Sequence, residues 1–347
     1  MISQNNLDIL HGTRTIRFRE MFSARIRSIL LFFLFAFLWT HGSASNAGAN
    51  GAKKQSVGAV QDTGTHIYMR NVIFWVMPNV AVHVAGLTGM IAPTSPNGTV
   101  SLDDQGSFSL EMQNARTSIS SRDLTVLVNN YILPKAITPI RNLSMTLTHD
   151  QTISVKGTFR KLIDVPFTAD ANVQATPDGN MRMHLSNLRV AGVIHQDILD
   201  FLGLKVSNLA QPKRQQTFQI VGNDLIFPIS QMFPPPHMEG KLQSVNIADN
   251  RLNLVFGTEQ GQNPKLPVPA ENYIYFKGGR MQFGRLTMTP VEMELVNLKA
   301  ANSFEFALAD YYKQLAAGYS KSLPDGGLLV HMANDHAVQP KAAQSSR

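Results

Sequence analysis

Histidines and acidic residues are the side chains of this sequence that could support catalysis or bind a metal. His331 and His336 are five residues apart, a spacing that brings them to one face of neither a helix nor a strand. His195 and Asp197 stand where a helix is predicted to begin, and a carboxylate there ordinarily compensates the helix dipole. We therefore interpret His331 and His336 as part of a solvated tail and Asp197 as a helix start. A metal site and an acid–base pair are the alternatives.

Other acidic residues and glycines fit turns better than ligand sites. Asp103 and Asp104 precede Gly106, and the further oxygen ligands of a calcium loop do not follow. Gly278 and Gly279 fit a turn, because they do not follow a strand and open a helix, as the glycines of a dinucleotide-binding motif must. Cysteine is absent, as are the Gly-x-Ser-x-Gly, phosphate-loop and His-Glu-x-x-His motifs. We expect no metal, no cofactor and no enzymatic activity, and a hydrolase assembled from distant segments is the alternative.

The distribution of charge argues against nucleic acid as a partner. The net charge is +7, and +3 of it lies in residues 1–45, where five arginines stand against Asp8 and Glu20. The remaining +4 is small, and the basic residues are scattered without interleaved aromatic rings.

The N-terminal segment has the three-part layout of a secretory signal peptide. Arg25 and Arg27 precede the apolar run 29–39, and small residues follow at 42–45. This run is shorter than the roughly 20 residues that a membrane-spanning helix needs. We predict cleavage after Ala44 or Ser45 and a periplasmic or secreted protein. The alternative is an uncleaved N-terminal anchor.

Composition divides the chain into four segments. They are a signal peptide (1–45, with 1–20 as a candidate upstream extension), a flexible linker (46–64), one α+β domain (65–332) and a disordered tail (333–347). Two or three ordinary domains would also fit this length, so composition does not fix the domain count.

Period-two alternation of apolar and polar residues recurs through the domain and predicts antiparallel strands with one dry face. The clearest case is 165–176. We expect hairpin turns at 150–151, 177–179 and 249–250, a hairpin that pairs 273–277 with 280–289, and a last strand over 328–332.

A few helices are predicted to follow strands. Ser120 or Ser121 caps a helix that ends at Pro134, a second helix covers 195–202, and another runs from Phe304 to Tyr319. The order of strand, short helix and long hairpin recurs two or three times. The predicted fold class is therefore α+β, with mostly antiparallel long curved sheets, a few short amphipathic helices and a candidate duplicated unit.

Two apolar segments bear on function. Val72 to Met77 is a continuous apolar run, for which we predict a strand buried on both faces, and the prolines at 234–236 are predicted to end a helix. Ten-residue strands span roughly 30 Å. Their dry faces therefore enclose an elongated volume, which is either a filled core or a groove for an acyl chain.

The strand, helix and hairpin pattern of residues 108–257 resembles the tubular lipid-binding superfamily, in particular the LmeA-like phospholipid-binding proteins of bacterial envelopes. The phrases that carry this likeness are Arg122-Asp123-Leu124, Gln196-Asp197-Ile198-Leu199, Gly222-Asn223-Asp224-Leu225 and Asn250-Arg251-Leu252. The resemblance implies a long curved sheet around a helix, a bound lipid or phospholipid, and a role in envelope lipid traffic or maintenance.

The function we expect is non-enzymatic binding of a lipid or other apolar ligand in an elongated groove, with peripheral membrane contact as a further expectation. The alternative is an envelope scaffold with a filled core, no ligand and the aromatic hairpin 273–283 as its contact surface. The candidate ligand-binding residues are Leu124, Leu127, Val128, Tyr131, Phe167, Val173, Ile198, Phe201 and Leu202.

Overall fold

The computed structural model describes residues 64–334 except 97, 137–138, 149, 161–162, 195–217, 258–262 and 300–302. This part of the chain is mostly β, in antiparallel and mixed sheets, with few helices. The strands are β1 (Thr65–Met77), β2 (Val80–Pro93), β3 (Val100–Ser101), β4 (Phe108–Ser120), β5 (Ile140–Leu147), β6 (Thr152–Arg160), β7 (Asp164–Ala175), β8 (Met181–Val190), β9 (Val193–Ile194), β10 (Gln219–Val221), β11 (Asp224–Phe227), β12 (His237–Glu239), β13 (Leu242–Ala248), β14 (Arg251–Phe256), β15 (Tyr273–Gly278), β16 (Met281–Phe283), β17 (Leu286–Met288), β18 (Val291–Asn297), β19 (Phe304–Ala307), β20 (Tyr319–Ser322) and β21 (Leu328–Met332). The helices are α1 (Ser121–Leu127), a π-helical turn (Val128–Ile132), α2 (Leu133–Lys135), α3 (Ile229–Met232) and α4 (Tyr311–Ala316).

The large sheet is built on three long strands, β1, β2 and β4, which form an antiparallel meander. Its order is β13-β14-β4-β2-β1-β15-β18-β21-β20, and β12 and β19 also pair with β4 and β1. The long strands change partner along their length. Residues 66–70 of β1 pair with β15, whereas Val72 to Trp75 pair in parallel with β19. Asn71, with a φ of 49°, stands between the two pairings.

A second sheet has the order β10-β11-β8-β7-β6-β5, with β9 paired to β8. The predicted alternation in β7 is confirmed, because Phe167, Ala169, Ala171 and Val173 are buried and their neighbours are not. The predicted turns at 150–151, 177–179 and 249–250 are also confirmed by the strand ends on either side. A small third sheet has the order β17-β16-β3.

The helix after β4 begins where the sequence predicts it. Ser120 is the N-cap, and its Oγ accepts a hydrogen bond from the Asp123 backbone N–H at 3.1 Å. Helical structure continues past Leu127 through the π-helical turn to Lys135, so that Pro134 lies within the last turn. Pro134 is also the second residue of the short segment α2. Proline is tolerated in the first turn of a helical segment because the first N–H groups there have no intrahelical partner.

One polar row of this helix binds the edge strand β5. Ser121, Thr125 and Asn129 are spaced four residues apart and therefore share one face. Their side chains hydrogen-bond to backbone groups of Leu147, Met145 and Leu143. The helix thus satisfies backbone groups that an edge strand would otherwise leave unpaired.

Three predictions about local structure are wrong. Phe304 to Ala307 is strand β19 and the helix starts only at Tyr311, because Phe304 and Phe306 alternate into the core beside β1. The spacing of aromatic residues from 304 to 315 suits a strand followed by a short helix as well as one long helix. The segment 195–202, with its predicted helix, lies outside the described residues.

The predicted pairing of 273–277 with 280–289 is the second correction. β15 instead lies between β1 and β18, while β16 joins the small sheet. Tyr273, Ile274, Tyr275 and Phe276 are all buried, so β15 needs a long neighbour on each side, which the three-residue β16 cannot provide. The aromatic hairpin expected as an exposed scaffold contact surface is therefore buried.

The third correction concerns the run from Val72 to Met77. Val72 is fully buried, but Ile73 to Met77 are only half-buried. The end of β1 is therefore not covered on both faces.

Candidate functional site

An apolar pocket of about 270 Å³ lies on one face of the large sheet, over β1, β2 and β4. Its other walls come from the loop 233–236 and from residues 308–309. Gln105, Thr117 and Trp75 supply the polar side-chain atoms of the lining, and the lining has no charged residue. The apolar side chains from the strands are Met69, Phe74, Val76, Met77, Val82, Val84, Leu87, Leu110, Met112, Met238 and Phe256.

The half-buried end of β1 supplies part of the lining of this pocket. The left-handed conformation of Asn71 interrupts the alternation of β1, so that Met69 and Val72 are both buried. The Asn71 side chain is held by Asn272 Oδ1 at 2.6 Å and His83 Nε2 at 3.0 Å. Beyond it, Phe74 to Met77 line the pocket and remain partly exposed. A continuous apolar run that is not fully covered is a feature of binding sites.

The proline run forms the facing wall. α3 ends at Met232, as the prolines predict, and Phe233, Pro234, Pro235 and Pro236 then line the pocket. Proline has no backbone N–H. A wall of consecutive prolines therefore presents few hydrogen-bond donors, which suits an apolar ligand.

The pocket is large enough for a small hydrocarbon. A cavity of about 150 Å³ lined by apolar side chains stays dry and binds benzene. By proportion, 270 Å³ accommodates about ten carbon atoms. This is part of a single acyl chain and not the two tails of a phospholipid.

The predicted ligand-binding residues lie elsewhere. Leu124, Leu127, Val128, Phe167 and Val173 are buried in the hydrophobic core, and half-buried Tyr131 packs against it, with Lys135 Nζ 3.5 Å from its ring centroid. None of these six lines the 270 Å³ pocket. Ile198, Phe201 and Leu202 lie outside the described residues. Contact of all nine with a ligand stays a prediction.

Two sequence patterns belong to residues that line the pocket. They are the Val72 to Met77 run, which we interpreted as a buried strand, and the prolines at 234–236, which we interpreted as a helix end. Neither pattern shows that residues about 160 positions apart face each other. That relationship depends on β12, which pairs with β4 directly after the proline loop.

Asp103 and Asp104, the acidic pair considered for a calcium site, have structural partners. Asp104 Oδ1 accepts from the Gly106 N–H at 2.9 Å, as the predicted turn requires. Asp103 Oδ1 accepts from the Tyr311 hydroxyl at 2.6 Å. Burial and this Asp103 bond raise the pKa of Tyr311 to about 12. These contacts indicate structural roles.

The prediction that His331 belongs to a solvated tail is wrong. This residue lies in β21 and stacks on Tyr319, with ring centroids 4.4 Å apart, instead of belonging to a solvated tail. Burial and nearby Lys321 lower its pKa. Its proposed neighbour His336 lies outside the described residues.

Within the described ranges, no three His, Asp or Glu side chains are grouped so that they could hold a metal ion. The helices of that part of the chain are all too short or too polar to span a lipid bilayer. We also compared the chain with protein-family models, curated proteins and solved structures, and none of the three searches gave a match.

Proposed function

We propose that this chain is an exported, non-enzymatic protein that binds one acyl chain, or a hydrocarbon of similar size, in the pocket between β1 and the proline loop. The observation that carries this proposal is an uncharged pocket of about 270 Å³ walled by Phe74, Met77 and the prolines. A role in envelope lipid traffic or maintenance, with peripheral membrane contact, is the wider function that the resemblance to LmeA-like proteins implies. The α+β label and the duplicated unit belong to the same proposal.

Burial of the hydrocarbon provides the binding energy. Each buried methylene contributes about 0.8 kcal/mol, so ten contribute about 8 kcal/mol before the cost of immobilising the ligand. That cost is several kcal/mol, so a single chain binds weakly on this term alone. Met77 and Pro78 line the pocket and are half-buried and exposed, respectively, so a polar head group placed beside them stays in water.

Export is the second part of the proposal and rests on Arg25, Arg27 and the apolar run 29–39. We expect the full chain, expressed in a bacterial host, to appear in the periplasmic or secreted fraction with cleavage after Ala44 or Ser45. An intact mass that includes residues 1–45, in the membrane fraction, would instead support the uncleaved anchor.

Native mass spectrometry with organic extraction tests the ligand. Because burial of one chain gives only weak binding, we expect a one-to-one complex when fatty acid is added to the purified protein, with the fatty acid released on denaturation. A mass without ligand, in a protein that also fails to take up added fatty acid, would contradict the proposal and favour a filled core.

A further inference from the structure

A second pocket lies on the opposite face of the large sheet. Met69 of β1 lines the apolar pocket, and the next residue, Arg70, points to the other face because strand side chains alternate. Arg70 pairs with Tyr273, and Tyr273 pairs with Val296. Val296 lines a pocket of about 600 Å³ between β18, β21 and the segment 268–272.

Glu294 lies in this pocket with one carboxylate oxygen unpaired. The residue is fully buried, and its Oε2 accepts a hydrogen bond from the Val268 backbone N–H at 3.1 Å. Its Oε1 is buried and has no hydrogen-bond partner. A buried carboxylate oxygen without a hydrogen-bond partner is costly, and burial raises the pKa of Glu294. A donor from a ligand would remove this cost.

The charges around Glu294 favour a cation. The pocket lining contains a second carboxylate, Glu271, and no lysine or arginine. His331, the remaining titratable residue of the lining, has a lowered pKa, which favours the neutral imidazole.

Other groups on this face do not compensate Glu294. The Tyr275 hydroxyl donates to Glu292 at 2.5 Å, so it is already engaged. Burial raises the pKa of Tyr273. Nearby Arg70 lowers this pKa by a smaller amount, and the charge of Glu294 raises it. The described residues thus leave Glu294 Oε1 without a hydrogen-bond partner inside a pocket lined by two acidic residues.

We propose that this pocket binds a small organic cation whose primary ammonium group donates a hydrogen bond to Glu294 Oε1. The lining holds Glu271, Glu294 and His331, but within the described residues these three are not grouped so that they could hold a metal ion. An ammonium group has three donors and needs no fixed coordination geometry. A volume of about 600 Å³ lies within the usual range for small-molecule sites. The proposal does not depend on the apolar ligand.

The test uses three probes of equal length and different charge: 1,4-diaminobutane, 1,4-butanediol and succinate. These probes are too polar for the apolar pocket. Isothermal titration calorimetry on the full chain at low ionic strength should show binding of the diamine, at least tenfold weaker binding of the diol and no binding of succinate. Equal binding of diamine and diol, or no binding of the diamine, would overturn the proposal.

Three substitutions test whether the diamine binds at Glu294. Glu294→Gln should weaken diamine binding at least tenfold, because the bond loses its charge. Glu292→Gln, the same change two residues away and outside the pocket lining, should leave binding within twofold. If Glu294→Gln does not fold, Ala270→Phe fills the pocket while keeping Glu294 and should weaken binding as well. Unchanged binding in a folded Glu294→Gln variant would refute the assignment.

Discussion

Asn129 forms two hydrogen bonds with the backbone of Leu143. Its Nδ2 donates to the Leu143 carbonyl oxygen at 2.7 Å, and its Oδ1 accepts from the Leu143 N–H at 2.9 Å. One side-chain amide therefore takes the place of a neighbouring strand at the edge of the second sheet. Through this pair the π-helical turn, which contains Asn129, is fixed to β5.

Removing this amide should destabilise the protein. Asn129→Ala leaves both backbone groups of Leu143 without their partner, and we expect a loss of about 2 to 3 kcal/mol in the free energy of unfolding, measured by urea denaturation. Asn130→Ala is the matched control, because Asn130 is exposed and should change stability by less than about 0.5 kcal/mol. Equal effects of the two variants would show that the pair with Leu143 does not stabilise the fold.

Substitution of Gly257 by alanine tests how closely the backbone at this residue approaches the backbone of β4 at Gln113. Its φ is 70°, and a Cβ there would lie 1.9 Å from the Gln113 carbonyl oxygen. Gly222 has a similar φ of 59° but open space around it. We expect Gly222→Ala to cost about 1 kcal/mol from backbone strain alone, and Gly257→Ala to cost about 2 kcal/mol more because of the clash. Equal costs in urea denaturation would contradict this packing.

Filling the apolar pocket should block its ligand. Val76→Phe adds a ring to the lining and should weaken binding of undecanoate at least tenfold by calorimetry. Ile73→Phe, on the same strand and also half-buried but outside the lining, should leave the affinity within twofold. A similar loss in both variants would mean that undecanoate binds elsewhere or that β1 is distorted.

Glu294 should make stability depend on pH. Its pKa in the folded chain is raised above the ordinary 4.5, so the folded state holds this proton more tightly than the unfolded state. The free energy of unfolding should therefore fall as the pH rises from 4.5 through the folded pKa, by at most about 1.4 kcal/mol per pH unit.

Glu294→Gln removes this titration. The variant should gain stability relative to the wild type as the pH rises through that window, and the difference between the two should become constant below pH 4.5. The control Glu292→Gln, whose carboxylate is bonded to the Tyr275 hydroxyl, should show no such gain. A constant difference between Glu294→Gln and wild type at all pH values would contradict a raised pKa.

Local structure was largely predictable and strand neighbours were not. Alternation and turn residues predict β7, β8 and the turn at Asp249 and Asn250, because both signals lie within a few residues of each other. The parallel pairing of Val72 with Phe304 joins residues 232 positions apart, and no local pattern specifies it. For the same reason the prediction of a hairpin after Tyr273 was wrong.

The apolar character of the candidate site was predictable from the sequence, but its location was not. The sequence predicts dry faces and an apolar ligand, but it does not show where packing leaves a gap. The stripe with Leu124 and Leu127 is filled by the core, whereas the end of β1 is not covered. Sequence analysis did not identify the shared role of Ser121, Thr125 and Asn129. Their hydrogen bonds form with backbone groups of β5, and no local pattern shows that this strand lies beside the helix.

Trp75 permits the most direct test of the proposed ligand site. The chain has two tryptophans, Trp39 in the N-terminal run and Trp75 in the pocket lining. In a Trp39→Phe background, 11-bromoundecanoate should quench Trp75 fluorescence in a saturable manner, because its bromine would enter the pocket, and undecanoate should compete. Quenching that rises linearly without saturation, or that undecanoate does not reverse, would contradict an acyl-chain site at the end of β1.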